Sequence, residues 1–144
     1  RIYKHQVKAE FIDEVVHLWR DSSTRTSRNN EEYFPTAYYP LKVQYFLELD
    51  RDRSKPLLLW GAGKKGKLVA RLLQQHNETF EWVTNNNKKT GAPIYGIQLK
   101  TLKEFDTKKY QSILVVSGPG DKKKLQEVLD NLGLKQRENY FWFC

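Results

Sequence analysis

The sequence predicts an α/β fold, a parallel sheet of about four to five strands flanked by helices, and three observations predict it. Leu57-Leu58-Leu59-Trp60 is an apolar run that passes directly into Gly61-Ala62-Gly63-Lys64-Lys65-Gly66, and an amphipathic pattern follows at once. The same order returns where Ser112-Ile113-Leu114-Val115-Val116 leads into Ser117-Gly118-Pro119-Gly120 and a second amphipathic stretch. Between them Phe80-Glu81-Trp82-Val83-Thr84 reads as a further strand, far enough from the first for a right-handed crossover. Strand, glycine turn and helix in that order form a Rossmann-like βα unit, whose glycines let backbone N–H groups approach a phosphate.

A chain of 144 residues buries one ordinary core, so one domain with an appendage is expected. Residues 1–54 read as a helical segment and 55–144 as the Rossmann-like domain. No apolar run approaches the ~20 residues that span a bilayer, and no signal peptide is visible. A start at Arg1 rather than Met reads as a fragment of a longer protein. The single Cys144 excludes an internal disulfide and a cysteine-rich zinc site, and fits a reducing compartment. His5, His17 and His76 lack ligand spacing, so no metal is expected. The net charge of +8 is unevenly placed: 10 Lys/Arg against 9 Asp/Glu in residues 1–60, and 15 against 8 in 61–144. The glycine-turn half therefore carries +7, which favours an anionic partner there, although a solvated surface accounts for most of its lysines.

Taken in order, Phe11, Val15, Leu18 and Trp19 fall at helical spacing and predict an amphipathic helix over 1–21. Tyr33, Phe34, Tyr38 and Tyr39 cluster around Pro35 and Pro40, and Pro40 suits the first turn of a second helix. Leu41, Tyr45 and Leu49, with Phe46, would supply that helix's apolar face. Asp50-Arg51-Asp52 has the spacing of a divalent-metal pair, but no strand leads into it, and it reads as a solvated linker. Leu68, Val69, Leu72 and Leu73 make one stripe on a helix running to about His76. Residues 85–91 form a loop, 94–97 a short extended piece, and Thr101 caps a short helix over 102–105. Asp121 is expected to cap the last helix, with Leu125, Val128, Leu129 and Leu132 inward and Gly133 just past its end. Tyr140-Phe141-Trp142-Phe143 reads as the last strand.

If the Leu57 and Ser112 strands are neighbours, both glycine loops line one crevice at the strands' carboxyl ends. The residues expected to bind there are Gly61, Ala62, Gly63, Lys64, Lys65 and Gly66 from the first loop. Asn85 and Asn86 join them after the second strand, and Ser117, Gly118 and Gly120 from the other glycine loop. Lys64, Lys65 and Lys67, and Lys122, Lys123 and Lys124, each oppose a helix dipole by ~0.3–1 kcal/mol per charge. An anion in the crevice would offset that. A dinucleotide site wants a carboxylate about 20 residues on, at the end of the second strand, to hold ribose hydroxyls. Val83-Thr84-Asn85-Asn86 offers none, and Lys88 and Lys89 could instead favour a 2′-phosphate. No Ser-His-Asp set and no carboxylate pair can be assembled, so no catalytic residue is expected.

The run Trp19-Arg20-Asp21-Ser22-Ser23-Thr24-Arg25-Thr26-Ser27-Arg28, then Tyr33 and Leu41-Lys42-x-x-Tyr45-Phe46, resembles the link after the catalytic domain of certain bacterial family 2 glycosyltransferases. Trp60-Gly61-Ala62-Gly63-Lys64-Lys65-Gly66 is similar to the WGAG-x-x-G opening of the Rossmann-like domain that follows in them. Asn86-Asn87-Lys88-Lys89-Thr90-Gly91 stands where that family has a D-P-R-K-x-G loop. The 117–120 loop and the ending from Gly133-Leu134 to Tyr140-Phe141-Trp142 correspond too. Thr84 and Asn86 depart from it, each standing where the family has Asp. The resemblance implies a parent that transfers a sugar from a nucleotide-sugar donor in cell-envelope polysaccharide synthesis. It places the catalytic domain upstream of Arg1 and this chain in the cytoplasm, the inner membrane face included. The expected ligand is a nucleotide, a nucleotide-sugar or another phosphate-bearing molecule, with NAD(P) ranking behind, an empty interaction module as the alternative, and nucleic acid last.

Overall fold

The computed structural model describes residues 10, 12–18, 22–24, 37–115 and 118–143, in two compact units, Arg1–Ala37 and Tyr38–Cys144. In the first unit the described residues 12–18 form no helix, and Val15 and Leu18 are exposed. The amphipathic helix expected over 1–21 is thus not formed there; Phe11 and Trp19, half of its stripe, lie outside the described residues, as do Tyr33 and Phe34. Apolar spacing provides a face but not a nucleus, and a short helix with nothing buried beneath it is marginal in water.

The second unit is an α/β sheet. Its elements are α1 (Tyr39–Tyr45), continued by a π-helical turn (Phe46–Asp50), β1 (Leu57–Trp60), α2 (Lys64–Gln75), β2 (Phe80–Val83), β3 (Pro93–Ile94), β4 (Ile97–Lys100), β5 (Gln111–Leu114), α3 (Pro119–Asn131) and β6 (Tyr140–Trp142). The six strands lie in the order β3-β4-β2-β1-β5-β6, and only the short β3 runs antiparallel to its neighbour. The sixth strand comes from the 94–97 piece, which is a hairpin: Tyr95 and Gly96, both at positive φ (53° and 79°), make the two-residue turn between β3 and β4.

β1 is buried at all four positions, as a strand covered on both faces must be. Leu57 and Leu59 face a cluster with Val69, Ala70 and Leu73 of α2 and with Tyr39, Val43 and Phe46. Leu58 and Trp60 face a second cluster with Leu125 and Leu129 of α3. The inner face of α1 is therefore Tyr39, Val43 and Phe46, not Leu41, Tyr45 and Leu49: Leu41 and Leu49 are exposed. Both triplets have helical spacing, and the sheet's position chooses between them. The Tyr39 hydroxyl donates to the Phe143 carbonyl at 2.9 Å, and Phe46 meets the Phe141 and Phe143 rings edge-on. The helical stretch 39–50 thus belongs to the sheet's core.

The 50–52 linker is not simply solvated. Arg51 and Glu78 are almost fully buried and pair at 2.7 Å, and Arg53 reaches the same carboxylate at 2.5 Å. Gln111 at the start of β5 donates to the Asp50 carbonyl at 2.7 Å and accepts from the Asp52 N–H at 3.0 Å. Asp52 accepts from the Ser54 hydroxyl and N–H, which hold its carboxyl below the usual range. This cluster closes the amino-terminal end of the sheet. Thr101 caps a 3₁₀ turn, Leu102–Glu104, through a reciprocal capping box that likewise lowers the Glu104 pKa. Asp121 does not cap α3. That helix begins at Pro119 with Gly118 as N-cap, and Asp121 sits in its first turn. Gly133 follows its end at φ 69°, with the Leu134 N–H returning to the Leu129 carbonyl.

Candidate functional site

Trp60, Val83 and Leu114 are in register across β2, β1 and β5, so three parallel strands end flush. Sheet order reverses at β1: β2 and β4 extend to one side, β5 and β6 to the other. The loops leaving such a reversal must part, and a crevice opens between them. Here it encloses about 840 Å³, the size of a cofactor or nucleotide site.

The glycine turn forms its centre. Gly61 has φ 114°, and a Cβ on it would lie 2.2 Å from the Val115 carbonyl oxygen. A Cβ on Gly66 would lie 2.0 Å from the Gly61 carbonyl oxygen, so the first turn of α2 packs directly on the loop. The polar groups of Gly61 are committed: its N–H to the Val83 carbonyl at 3.0 Å, and its carbonyl to the Trp82 indole N–H at 2.9 Å. Trp82 is itself held by stacking on Tyr95, whose ring also meets the Arg71 guanidinium at 4.6 Å. α2 then starts at Gly63 with no side-chain cap and no acidic residue in its first turn. Its first N–H groups are the unsatisfied donors that every helix start presents.

Of the residues expected to bind, the crevice wall brings together Gly61, Ala62, Gly63, Asn85 and Asn86. Lys64, Lys65 and Gly66 lie in the first turn of α2 behind that wall, with Gly66 buried. Gly118 and Gly120 open α3 without lining the crevice, and Ser117 lies outside the described residues. Lys122 instead covers the Trp142 ring at 5.2 Å.

Sequence reasoning missed much of the far wall. Val115, Asp121, Lys124, Leu125 and Val128 line it, and Val128 is exposed there rather than packed inward. Asn87, Lys88 and Lys89 complete the near wall. The charged lining is thus Lys88, Lys89 and Lys124 against Asp121. Thr84 is buried, and its hydroxyl accepts the Asn86 N–H at 3.2 Å, so this strand end is a structural cap. Trp60 stands in the wall, and its buried Nε1–H has no hydrogen-bond partner among the described residues. Among the described residues no group of His, Cys, Asp or Glu could hold a metal ion, and no helix is long and apolar enough to cross a membrane.

No family model matches the chain, and no curated protein or solved structure matches it.

Proposed function

We propose that this chain is the non-catalytic C-terminal domain of a nucleotide-sugar-dependent glycosyltransferase, and that its crevice binds a nucleotide or another phosphate-bearing ligand. The crevice carries the reading: it sits at the sheet's reversal point, bounded by an uncapped helix start and by three lysines against one aspartate. Unsatisfied N–H groups at a helix start suit an oxyanion, and the basic excess adds long-range attraction. The apolar wall of Val115, Leu125 and Val128 offers a place for a ligand's body. Among the described residues the crevice lining holds one carboxylate, Asp121, and no histidine or cysteine, which supports binding rather than bond-making. The glycosyltransferase parent, its upstream catalytic domain and a place in the cytoplasm rest on the resemblance alone.

Isothermal titration of the 144-residue chain with ADP, UDP and NADH checks the reading. ADP or UDP is expected to bind, with affinity falling as salt is raised, and NADH to bind more weakly for want of a ribose-holding carboxylate. No heat from any of the three at millimolar ligand overturns the crevice as a phosphate site and favours an interaction module. Sugar transfer by the chain alone would overturn its non-catalytic role.

A further inference from the structure

One cation in the crevice is set differently from the others. Lys89 is half-buried, and its ammonium donates to the Ala62 carbonyl at 3.2 Å, joining two loops 27 residues apart. Lys88 and Lys124 are exposed and keep their hydration. The loop is constructed to hold Lys89 there: Asn86 accepts the Lys88 N–H on its side chain at 3.0 Å and the Lys89 N–H on its carbonyl at 2.8 Å. An ammonium has three donors and a full charge. This one meets a neutral carbonyl, and among the described residues no carboxylate pairs with it, whereas Lys55, Lys100, Lys109 and Lys135 each have one. A cation held at a neutral carbonyl with no counter-charge beside it is placed to gain charge-assisted hydrogen bonds from an anionic ligand. Trp60, whose buried donor has no partner among the described residues, stands in the same wall.

We propose that Lys89 reads the ligand's phosphate charge, with the phosphate held between its ammonium and the Ala62-Gly63 turn that leads into α2. The inference rests on the phosphate-ligand reading above. One ammonium donor can stay on Ala62 while the other two reach phosphate oxygens, so the two loops remain joined when the site fills. The ligand class that follows carries a phosphomonoester or terminal diphosphate, whose several charged acceptors match donors arriving from two sides.

Titration of the 144-residue chain with ADP, inorganic phosphate and adenosine tests this, on wild type and on Lys89→Ala, Lys89→Gln and Lys89→Arg. Wild type is expected to bind ADP and phosphate. Lys89→Ala and Lys89→Gln should each lose roughly tenfold or more for both, the scale of one charge-assisted hydrogen bond, while adenosine binding stays put. Lys89→Arg, which keeps the charge, should stay within about threefold of wild type. Lys89→Gln keeps a donor for Ala62, so a loss there reports charge rather than loop geometry. Lys108→Ala, in the turn before β5, should leave binding unchanged. The proposal falls if wild type binds ADP and Lys89→Gln binds it equally well, or if Lys108→Ala loses as much. If wild type binds neither ADP nor phosphate, the crevice reading falls and this one with it.

Discussion

Gly61 and Gly120 look alike on paper, each a glycine between a strand and a helix, yet their surroundings differ. Gly61 combines a φ of 114° with a backbone oxygen where its Cβ would be, and Gly66 is barred by the Gly61 carbonyl. Nothing lies within 4 Å of a Cβ on Gly120, which is already inside α3. Gly61→Ala should therefore cost about 3 kcal/mol or more, from backbone strain together with overlap. Gly120→Ala should be neutral or stabilising by up to ~1 kcal/mol, the gain in helix propensity. Urea unfolding of the two variants checks the contrast, and equal losses would contradict it. The glycine pattern alone could not separate the two, because what bars the side chain of Gly61 is Val115, 54 residues away and delivered by β5. Thr84 is the converse case: the missing carboxylate was legible, but not that its hydroxyl had been taken by Asn86.

At the scale of elements, the strands were the most legible parts. Leu57-Leu58-Leu59-Trp60 has no polar residue to turn outward, so a doubly covered parallel strand was the natural reading. Helix faces were less so, since α1 offers two stripes at the same spacing and only the sheet selects one. The linker was misjudged because charge in a sequence reads as exposure. Arg51 and Arg53 converge on Glu78, which follows α2 just past its αL residue, Asn77. Glu78→Gln removes the charge facing buried Arg51, and should cost about 3 kcal/mol. Thermal melts should show this as a drop in Tm that raising the salt does not reproduce in wild type, because the pair is shielded from solvent ions. A loss below about 0.5 kcal/mol would mean that the cluster is a surface pair in effect.

Over the whole molecule, the core takes in more chain than composition suggested. Tyr39, Val43 and Phe46 are each at least 98% buried, and they pack on the same cluster as β1. A fragment of residues 55–144, the domain as bounded from the sequence, should lose on the order of 6 kcal/mol of apolar burial. That approaches the entire stability of an ordinary domain, so the fragment should show no cooperative melt while residues 38–144 do. The crevice was legible as a place, because strand, glycine turn and helix fix where a reversal can occur. Its cations were legible as residues but not as a set: Lys64 and Lys65 fall behind the wall and Lys122 turns onto the Trp142 ring, while Lys88, Lys89 and Lys124 meet because strand order brings their loop and helix together. The flush ending of β2, β1 and β5 has a further consequence. The floor is set by main-chain register and by residues that face the core, whereas nearly all the chemistry stands on three loops and one helix face above it. Ligand preference can therefore change by substitution or by a change of loop length without disturbing a strand, and the 85–91 loop, exposed over most of its length, is where the molecule can do so at least cost.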